Sequence, residues 1–276
     1  LPPEGAIVLS DDLYRLFAVQ SALHRTGQED RYVLVQTSAL SKLAYHRYLQ
    51  RTHPKRWSKL PEAPPPPARD LPSMALIRLL LDLQATNPVY YLHPSFGYYF
   101  EFFHLQTRNL VYPMAVNPTN QIVTPLLSET ELASNDRFWQ EYRPQLNPLL
   151  KQLDCGPKGE KKNPPFATIM AGSYYSRELN HLGVEYQHAG NLPKAAEYFA
   201  VALQFNTNNP AAFINLLYNR QLQAGNRKTI LPNKEVEERL EAYRGNIEMV
   251  LNLNGPIDEP QFCFFLSRLL ANGRNL

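Results

Sequence analysis

Hydrophobic and polar positions alternate along the first part of the chain in a way that is typical of α/β proteins. Residues 6–9 and 32–35 are short apolar runs bounded by turn residues, as buried strands are. Between them, apolar residues recur at helical spacing from Leu13 to Arg25, and Gly27 ends this predicted helix. A strand, a helix and a strand within about 30 residues favour a right-handed crossover with parallel strands.

The alternation continues beyond this first unit. Two more helices and three more strands are predicted, at residues 38–51, 73–86, 89–92, 98–103 and 110–115. A proline-rich stretch at 61–72 is predicted to be an extended surface connector. We therefore predict that residues 1–127 form a three-layer α/β domain with a mainly parallel sheet of about four or five strands.

Helical periodicity dominates the second part of the chain. Residues 128–153 have a helical pattern that Pro144 and Pro148 are expected to break or kink. Glycine and proline residues at 154–165 are typical of a linker. We predict that residues 128–276 form a second, α-helical domain.

Residues 177–210 have the pattern of a helix–turn–helix repeat of about 34 residues. Small side chains occupy the positions where two helices would cross, large apolar side chains fill the space between the helices, and Gly190 supplies the turn. The pattern positions are Leu182, Gly183, Tyr186, Gly190, Ala195, Phe199 and Ala202. This spacing resembles the tetratricopeptide (TPR) repeat, whose units bind partners and seldom catalyse. A divergent repeat is predicted at 211–253, and a partial one at 260–276.

The first helix of each TPR repeat lines a groove, so the resemblance implies candidate partner-binding residues. They are Arg177, Asn180, Val184, Gln187, His188, Asn215, Tyr218 and Asn219. Arginine and asparagine could hold a peptide backbone or a terminal carboxylate. Alternatively, these residues face solvent or the α/β domain. His181 and His188 share one helix face, and the sequence predicts no carboxylate partner for either.

Composition and charge narrow the classes of function. A net charge of +3 over 276 residues is too small to indicate nucleic-acid binding, and the basic run at 158–162 fits a solvated loop. Cys155 and Cys263 form no CxxC pair, so we expect no zinc site. The sequence does not decide whether these two cysteines form a disulfide bond with each other. No apolar run reaches the roughly 18 residues of a membrane-spanning helix. Because the chain starts at Leu1 and has no signal peptide, we interpret it as part of a longer protein.

The predicted strand ends offer a second set of candidate residues. The turn Ser10-Asp11-Asp12 has no glycine that would let backbone N–H groups approach a phosphate, so we expect no nucleotide there and no cofactor. Asp11, Asp12, Thr37 and His93 could bind a metal or a sugar hydroxyl, but helix capping by the two aspartates is our preferred interpretation. The aromatic stretch at 90–103 favours strands packed between helices over a surface that stacks sugars or peptides.

Several segments of the first 115 residues resemble one family when they are taken together with the repeat. They are residues 1–12 (LPPEGAIVLSDD), 31–37 (RYVLVQT), 87–91 (NPVYY) and 109–112 (NLVY). They resemble the soluble C-terminal region of multi-spanning membrane proteins that are similar to protein O-mannosyltransferases and often carry TPR units. The resemblance implies an extracytoplasmic domain that is linked to the membrane through an upstream region. The resemblance assigns no catalytic residue to this chain, because the family's catalytic acidic residues lie in the membrane part.

Three hypotheses of function follow. The first is a non-catalytic accessory domain that binds an acceptor protein or a partner subunit through the TPR groove. The second is an α/β enzyme or sugar-binding domain with a site near Asp11, Asp12 and His93. The third is a cytoplasmic TPR adaptor. We prefer the first, because the repeat register is clear and the sequence contains no catalytic motif such as GxSxG.

Overall fold

The computed structural model describes residues 1–61, 69–93, 102–118, 125–154, 164–231 and 233–272. The chain divides into two compact units, Leu1–Pro125 and Leu126–Leu276. Most of the predicted proline-rich connector, the centre of the aromatic stretch, and the predicted linker with Cys155 lie outside the described residues.

The described part of the first unit contains a five-stranded mixed sheet. Its strands are β1 (Ile7–Ser10), β2 (Val33–Gln36), β3 (Val89–Tyr91), β4 (Phe103–Leu105) and β5 (Tyr112–Val116), in the order β2-β1-β3-β5-β4. Strand β1 pairs in parallel with both β2 and β3, as the sequence predicts, whereas β5 is antiparallel to β3 and β4. Only residues 106–111 join β4 to β5, and a parallel pair would need a crossover of a dozen or more residues. The prediction of a mainly parallel sheet is therefore wrong for these two strands.

Helices cover both faces of this sheet. They are α1 (Leu13–Arg25), α2 (Leu43–Thr52) and α3 (Ser73–Gln84). Alternate residues of β1 point to opposite faces. Ile7 and Leu9 lie in one hydrophobic cluster with residues of α2 and α3, and Val8 lies in another with residues of α1. The α/β character of this unit is thus confirmed.

The described residues of the second unit form only helices and their connections. The helices are α4 (Glu129–Tyr142), α5 (Asn147–Leu153), α6 (Phe166–His188), α7 (Leu192–Phe205), α8 (Pro210–Gln223), α9 (Lys234–Glu241), α10 (Ile247–Asn254) and α11 (Pro260–Asn272). A 3₁₀ turn at Arg143–Leu146, which contains Pro144, separates α4 from α5. The break expected at Pro144 is therefore confirmed, whereas Pro148 lies in the first turn of α5.

Helices α6 and α7 form an antiparallel pair. The rings of Tyr186 and Tyr198 stack with centroids 5.5 Å apart, near the turn at Gly190, which has a φ of +78°. One helical turn further from this connection, Gly183 lies against the ring of Phe199, and a Cβ at Gly183 would come within 2.5 Å of Phe199 Cε1. Helix α8 packs against both members of the pair. The predicted helix–turn–helix at 177–210 is therefore confirmed as a pair of helices.

Candidate functional site

Four amide side chains form hydrogen-bonded rungs between α6 and α8. Asn180 and Gln187 are two turns apart on α6, and Asn215 and Asn219 are one turn apart on α8, so each pair lies on one helix face. Asn215 Nδ2 donates to Asn180 Oδ1, and Asn219 Nδ2 donates to Gln187 Oε1, both at 2.9 Å. All four side chains are buried. We call these four residues the amide ladder.

The amide ladder binds the backbone of residues 254–258 of the same chain. Asn180 Nδ2 donates to the carbonyl oxygens of Asn254 (3.1 Å) and Pro256 (2.9 Å), and Asn215 Nδ2 also donates to Pro256 O (2.9 Å). In the opposite direction, the N–H of Asp258 donates to Asn215 Oδ1 (2.7 Å). We call residues 255–259, which connect α10 to α11, the return segment.

Gln187 extends this contact to the side chain of the return segment. Its Nε2 donates to Asp258 O at 3.3 Å and to Asp258 Oδ2 at 2.8 Å. A primary amide offers both donors and an acceptor, so it can satisfy a peptide group on either side without adding net charge. The amide ladder therefore holds the backbone at 254–258 by its peptide groups, and Gln187 also contacts the side chain of Asp258.

Asn209 is a further member of this polar cluster that the sequence prediction missed. Its Nδ2 donates to Ser176 Oγ (2.9 Å) and Asn254 O (3.2 Å), while its Oδ1 caps α8 through the N–H of Ala212 (2.9 Å). The Asn-Pro pair at 209–210 indicates a helix start, and this is the only signal that the sequence offers for it. Its second role depends on Asn254, which is distant in sequence.

Gly255 allows the chain to leave α10 and enter the return segment. Its backbone angles, φ 87° and ψ −174°, lie in a region that is essentially restricted to glycine. A Cβ at this position would lie 2.9 Å from Asn180 Nδ2 and 3.2 Å from Arg177 O. Both the backbone conformation and the space beside Asn180 therefore require glycine.

We expect Gly255→Ala to lower the free energy of unfolding of the second unit by about 1–3 kcal/mol, the usual cost of a residue held in a disfavoured backbone region. The loss is measured by urea denaturation, with the fluorescence of Trp139 in a Trp57→Phe background as the signal for unfolding, because each unit contains one tryptophan. Gly225→Ala is the matched control, because Gly225 also has a positive φ (77°) but has open space where a Cβ would stand. A loss no larger than that of the control would contradict the proposed crowding at Asn180.

His188 forms an ion pair with the return segment. Its Nε2 lies 3.1 Å from Asp258 Oδ1, and the two side chains are 44% and 28% exposed. The hydrogen bond to Asp258 raises the pKa of His188 against the effect of partial burial. Burial opposes ionisation of Asp258, but its hydrogen bonds to His188 and Gln187 outweigh this and lower its pKa. The prediction that His188 has no carboxylate partner is therefore wrong.

His181 has a different environment from His188. Burial, followed by the charges of Arg177 and His188, lowers the pKa of His181 to about 3. Its Nδ1 lies 4.0 Å from Glu185 Oε1, one helical turn away, so this histidine also has a carboxylate neighbour, contrary to the prediction. His181 is consequently neutral at physiological pH.

The structure places the predicted partner-binding residues around the chain's own backbone. Asn180, Gln187, His188, Asn215 and Asn219 contact the return segment or each other. The three remaining candidates, Arg177, Val184 and Tyr218, are buried. What the sequence could not indicate is that residues 255–259, about 70 positions beyond α6, lie against these side chains.

Of the second set of candidates, Asp11 and His93 come into contact at the carboxyl ends of the parallel strands. His93 Nε2 lies 2.9 Å from Ser10 Oγ and 3.0 Å from Asp11 Oδ1, so the ends of β1 and β3 are joined. Asp12 accepts hydrogen bonds from the N–H groups of Tyr14 (2.9 Å) and Arg15 (3.1 Å), which confirms it as the cap of α1. Thr37 Oγ1 lies 3.4 Å from Tyr91 OH and is not within this group.

This arrangement differs from that of a nucleophilic triad. In such a triad, the serine and the carboxylate contact opposite nitrogens of the histidine, whereas Ser10 and Asp11 both contact Nε2 of His93. Ser10 is also completely buried, so its hydroxyl is not presented to a substrate. The observed contacts are those of a polar link between two strand ends.

Over the residues described, no group of three or more His, Cys, Asp or Glu side chains could hold a metal ion. The same part of the chain contains no helix that is both long and apolar enough to cross a membrane.

The comparisons with known proteins identify no relative: no protein-family model, no curated protein and no solved structure matches this chain.

Proposed function

We propose that this chain is a non-catalytic accessory domain that docks other proteins, and that its second unit binds them as extended peptides through the amide ladder. The observation that supports this most directly is the return segment itself. Asn180 and Asn215 together contact two carbonyl oxygens and one N–H group of the backbone at 254–258. A row of amides that holds one backbone by its peptide groups is suited to hold another.

The finer architecture that we propose is a short TPR array. The crossing of Gly183 and Phe199, the turn at Gly190 and the packing of α8 on the α6–α7 pair support this interpretation. The second helix of the divergent repeat would correspond to α9 and α10, which the insertion before Asn233 displaces. On this interpretation the amide ladder lies on the concave side of the array.

The resemblance of residues 1–12, 31–37 and 87–91 gives the setting that we propose. This region would be an extracytoplasmic, soluble part of a membrane protein similar to protein O-mannosyltransferases. Its partner would be the acceptor protein or another subunit, and its membrane link would lie in an upstream region. The chemistry of sugar transfer would then belong to that membrane part.

The test is selection of peptides from a phage-displayed random library. The bait is the whole chain with Asp258→Asn, because this change weakens the contacts of the return segment with His188 and Gln187. We expect enriched peptides that are displaced by the free peptide NGPIDEPQ, the sequence of residues 254–261. Adding Asn219→Ala to the bait should weaken the selected peptides about tenfold, since Gln187 Oε1 loses its buried donor.

The matched control is Asn208→Ala, which removes an exposed amide one residue before Asn209 and should leave peptide affinity unchanged. Selected peptides that tolerate Asn219→Ala and are not displaced by NGPIDEPQ would bind elsewhere on the chain. That result, or the absence of any enriched peptide, would overturn the proposal.

A further inference from the structure

The return segment occupies the groove in the manner of a bound peptide. It joins α10 to α11 and is a short stretch without regular secondary structure. The amide ladder contacts its backbone at Pro256 and Asp258, and Gln187 also donates to the side chain of Asp258. His188, which is outside the amide ladder, forms an ion pair with Asp258. A short stretch tethered at both ends has a high effective concentration at its own site, and a separate peptide must compete with it.

We propose that the return segment is an intramolecular pseudo-ligand that closes the groove, and that the His188–Asp258 pair is the latch that holds it closed. The peptide class that opens the groove is an extended one with an acidic residue in the position of Asp258. This inference rests on the proposed function for its external ligand, but the latch itself can be tested without one.

Two features of the closed arrangement suit a latch that can be released. The His188–Asp258 pair is partly exposed, so its strength is modest and depends on protonation. At the end of the segment, Glu259 is fully buried; its Oε2 accepts from the N–H of Phe262 (2.8 Å), but its Oε1 has no hydrogen-bond partner among the described residues. A buried carboxylate oxygen without a partner opposes the closed state.

The burial of Ile257 opposes release of the return segment and limits how far the segment can withdraw. Ile257 is 5% exposed and belongs to a hydrophobic cluster with Val250 and Phe262. Complete withdrawal of the segment would expose this side chain. Opening is therefore expected to free the backbone around Pro256 and Asp258 while α11 stays folded.

The charged and titratable groups around the latch decide how it responds to pH. They are His181 and Glu185 on α6, Tyr218 on α8, Arg227 in the loop that follows, and Glu259 and Cys263 at the start of α11. Burial raises the pKa of both Tyr218 and Cys263, and that of His181 is about 3, so these three stay neutral near pH 7. Within this group, His188 is the residue that changes charge there, and Glu185 adds to the stabilisation of its protonated form.

The sign of the pH dependence follows from the two directions of shift. The pKa of His188 is raised in the folded chain, so the stabilisation by the pair is lost as pH rises through that value. The pKa of Asp258 is lowered, so the stabilisation is also lost as pH falls through that value. The latch is therefore closed from mildly acidic to neutral pH and weakens at alkaline pH.

The first experiment measures hydrogen exchange of the return segment by mass spectrometry from about pH 6 to about pH 8.5, corrected for the intrinsic exchange rate. We expect the protection of residues 255–259 to fall about fivefold over this range, as is typical for the loss of a partly exposed ion pair, while that of α7 stays constant. His188→Gln should lower the protection at pH 6 and abolish its pH dependence. His24→Gln is the matched control, because His24 is paired with Glu29 at 3.2 Å on the surface of the first unit.

The second experiment measures binding of fluorescein-labelled NGPIDEPQ by fluorescence polarisation. We expect the Asp258→Asn chain to bind this peptide at least about fivefold more tightly than the wild-type chain, because the competing segment is held less firmly. Asp70→Asn, which removes an exposed carboxylate paired with Lys42, should behave like the wild type.

The outcomes distinguish failure of the latch proposal from failure of the proposed peptide-binding function. Protection that is independent of pH in the wild-type chain would overturn the latch. Equal binding of NGPIDEPQ by the wild-type and Asp258→Asn chains would also overturn it, while leaving the proposed peptide-binding function intact. Protection that responds to pH and to His188→Gln, without any peptide binding, would support the latch and remove the function.

Discussion

Phe199→Ala is expected to lower the free energy of unfolding of the second unit by about 3–5 kcal/mol, the range for removal of a buried aromatic ring. Phe199 is completely buried and lies where α6 and α7 cross, directly over Gly183. Its ring fills the space that the missing side chain of Gly183 leaves open, so neighbouring residues cannot close the resulting cavity without moving the helices. Urea denaturation followed by Trp139 fluorescence in a Trp57→Phe background measures the loss.

A double-mutant cycle with Gly183 tests the reason for this effect. Gly183→Ala alone brings a Cβ to within 2.5 Å of the Phe199 ring and should cost about 1–3 kcal/mol by overpacking. In the Phe199→Ala background the same change should be stabilising, because the space is open and alanine favours the helix over glycine by about 1 kcal/mol. Phe166→Ala, at a position that is 77% exposed, is the control and should change stability by less than about 0.5 kcal/mol. A destabilisation by Gly183→Ala that is equal in both backgrounds would contradict the packing argument.

The helix pair could be predicted from the sequence because its determinants are local. Gly183, Gly190 and Phe199 lie within 17 residues of one another, and their spacing encodes both the turn and the crossing of the two helices. The cap of α1 at Asp12 could be predicted for the same reason. In each case a short stretch of sequence contains all the groups that make the contact.

The contact of Asn180 and Asn215 with the return segment could not be predicted, because it joins residues that are distant in sequence. Asn180 and Pro256 are 76 positions apart, and neither residue type indicates the other. The predicted repeat would place Asn180 and Asn215 on facing helices, but it does not reveal whether solvent, a partner or the chain itself lies against them. A Gly-Pro pair between two helices, as at 255–256, indicates a turn in general and not an extended ligand-like segment.

In the sheet, too, the features that depend on nearby residues could be predicted, and those that depend on distant residues could not. The parallel arrangement of β1 and β2 follows from the helix between them, which is long enough for a crossover. The predicted strand at 110–115 corresponds to β5, whereas β4 (Phe103–Leu105) shares only Phe103 with the predicted strand at 98–103, most of which lies outside the described residues. The pattern did not indicate the direction of these strands, which is set by the short connection at 106–111. Of the strand-end candidates, Asp11 and His93 came together because β1 and β3 are neighbours, a fact that only the sheet order reveals.

Asn180→Asp is expected to lower the free energy of unfolding of the second unit by about 3–5 kcal/mol near pH 8, the range for a buried charge left without a partner. The change replaces the only donor of this side chain by an acceptor that faces the carbonyl oxygens of Asn254 and Pro256. Asn180 is 0% exposed, so water cannot substitute for the lost hydrogen bonds. The size of the side chain is unchanged, and the effect therefore reports electrostatics and hydrogen bonding and not packing.

The pH dependence of this loss shows whether Asn180 acts by donating hydrogen bonds or only by filling space. In the folded chain, burial beside two carbonyl oxygens raises the pKa of the new carboxyl above its unfolded value, so the folded state binds the extra proton. The deficit relative to the wild type should thus shrink as pH falls from about 8 towards 5, because the protonated carboxyl can donate to Pro256 O. Asn208→Asp, on the exposed surface, should change stability by less than about 0.5 kcal/mol at both pH values. A deficit that is the same at both pH values would mean that Asn180 does not hold the return segment by donating hydrogen bonds, and the proposal that the amide ladder binds peptides would lose its support.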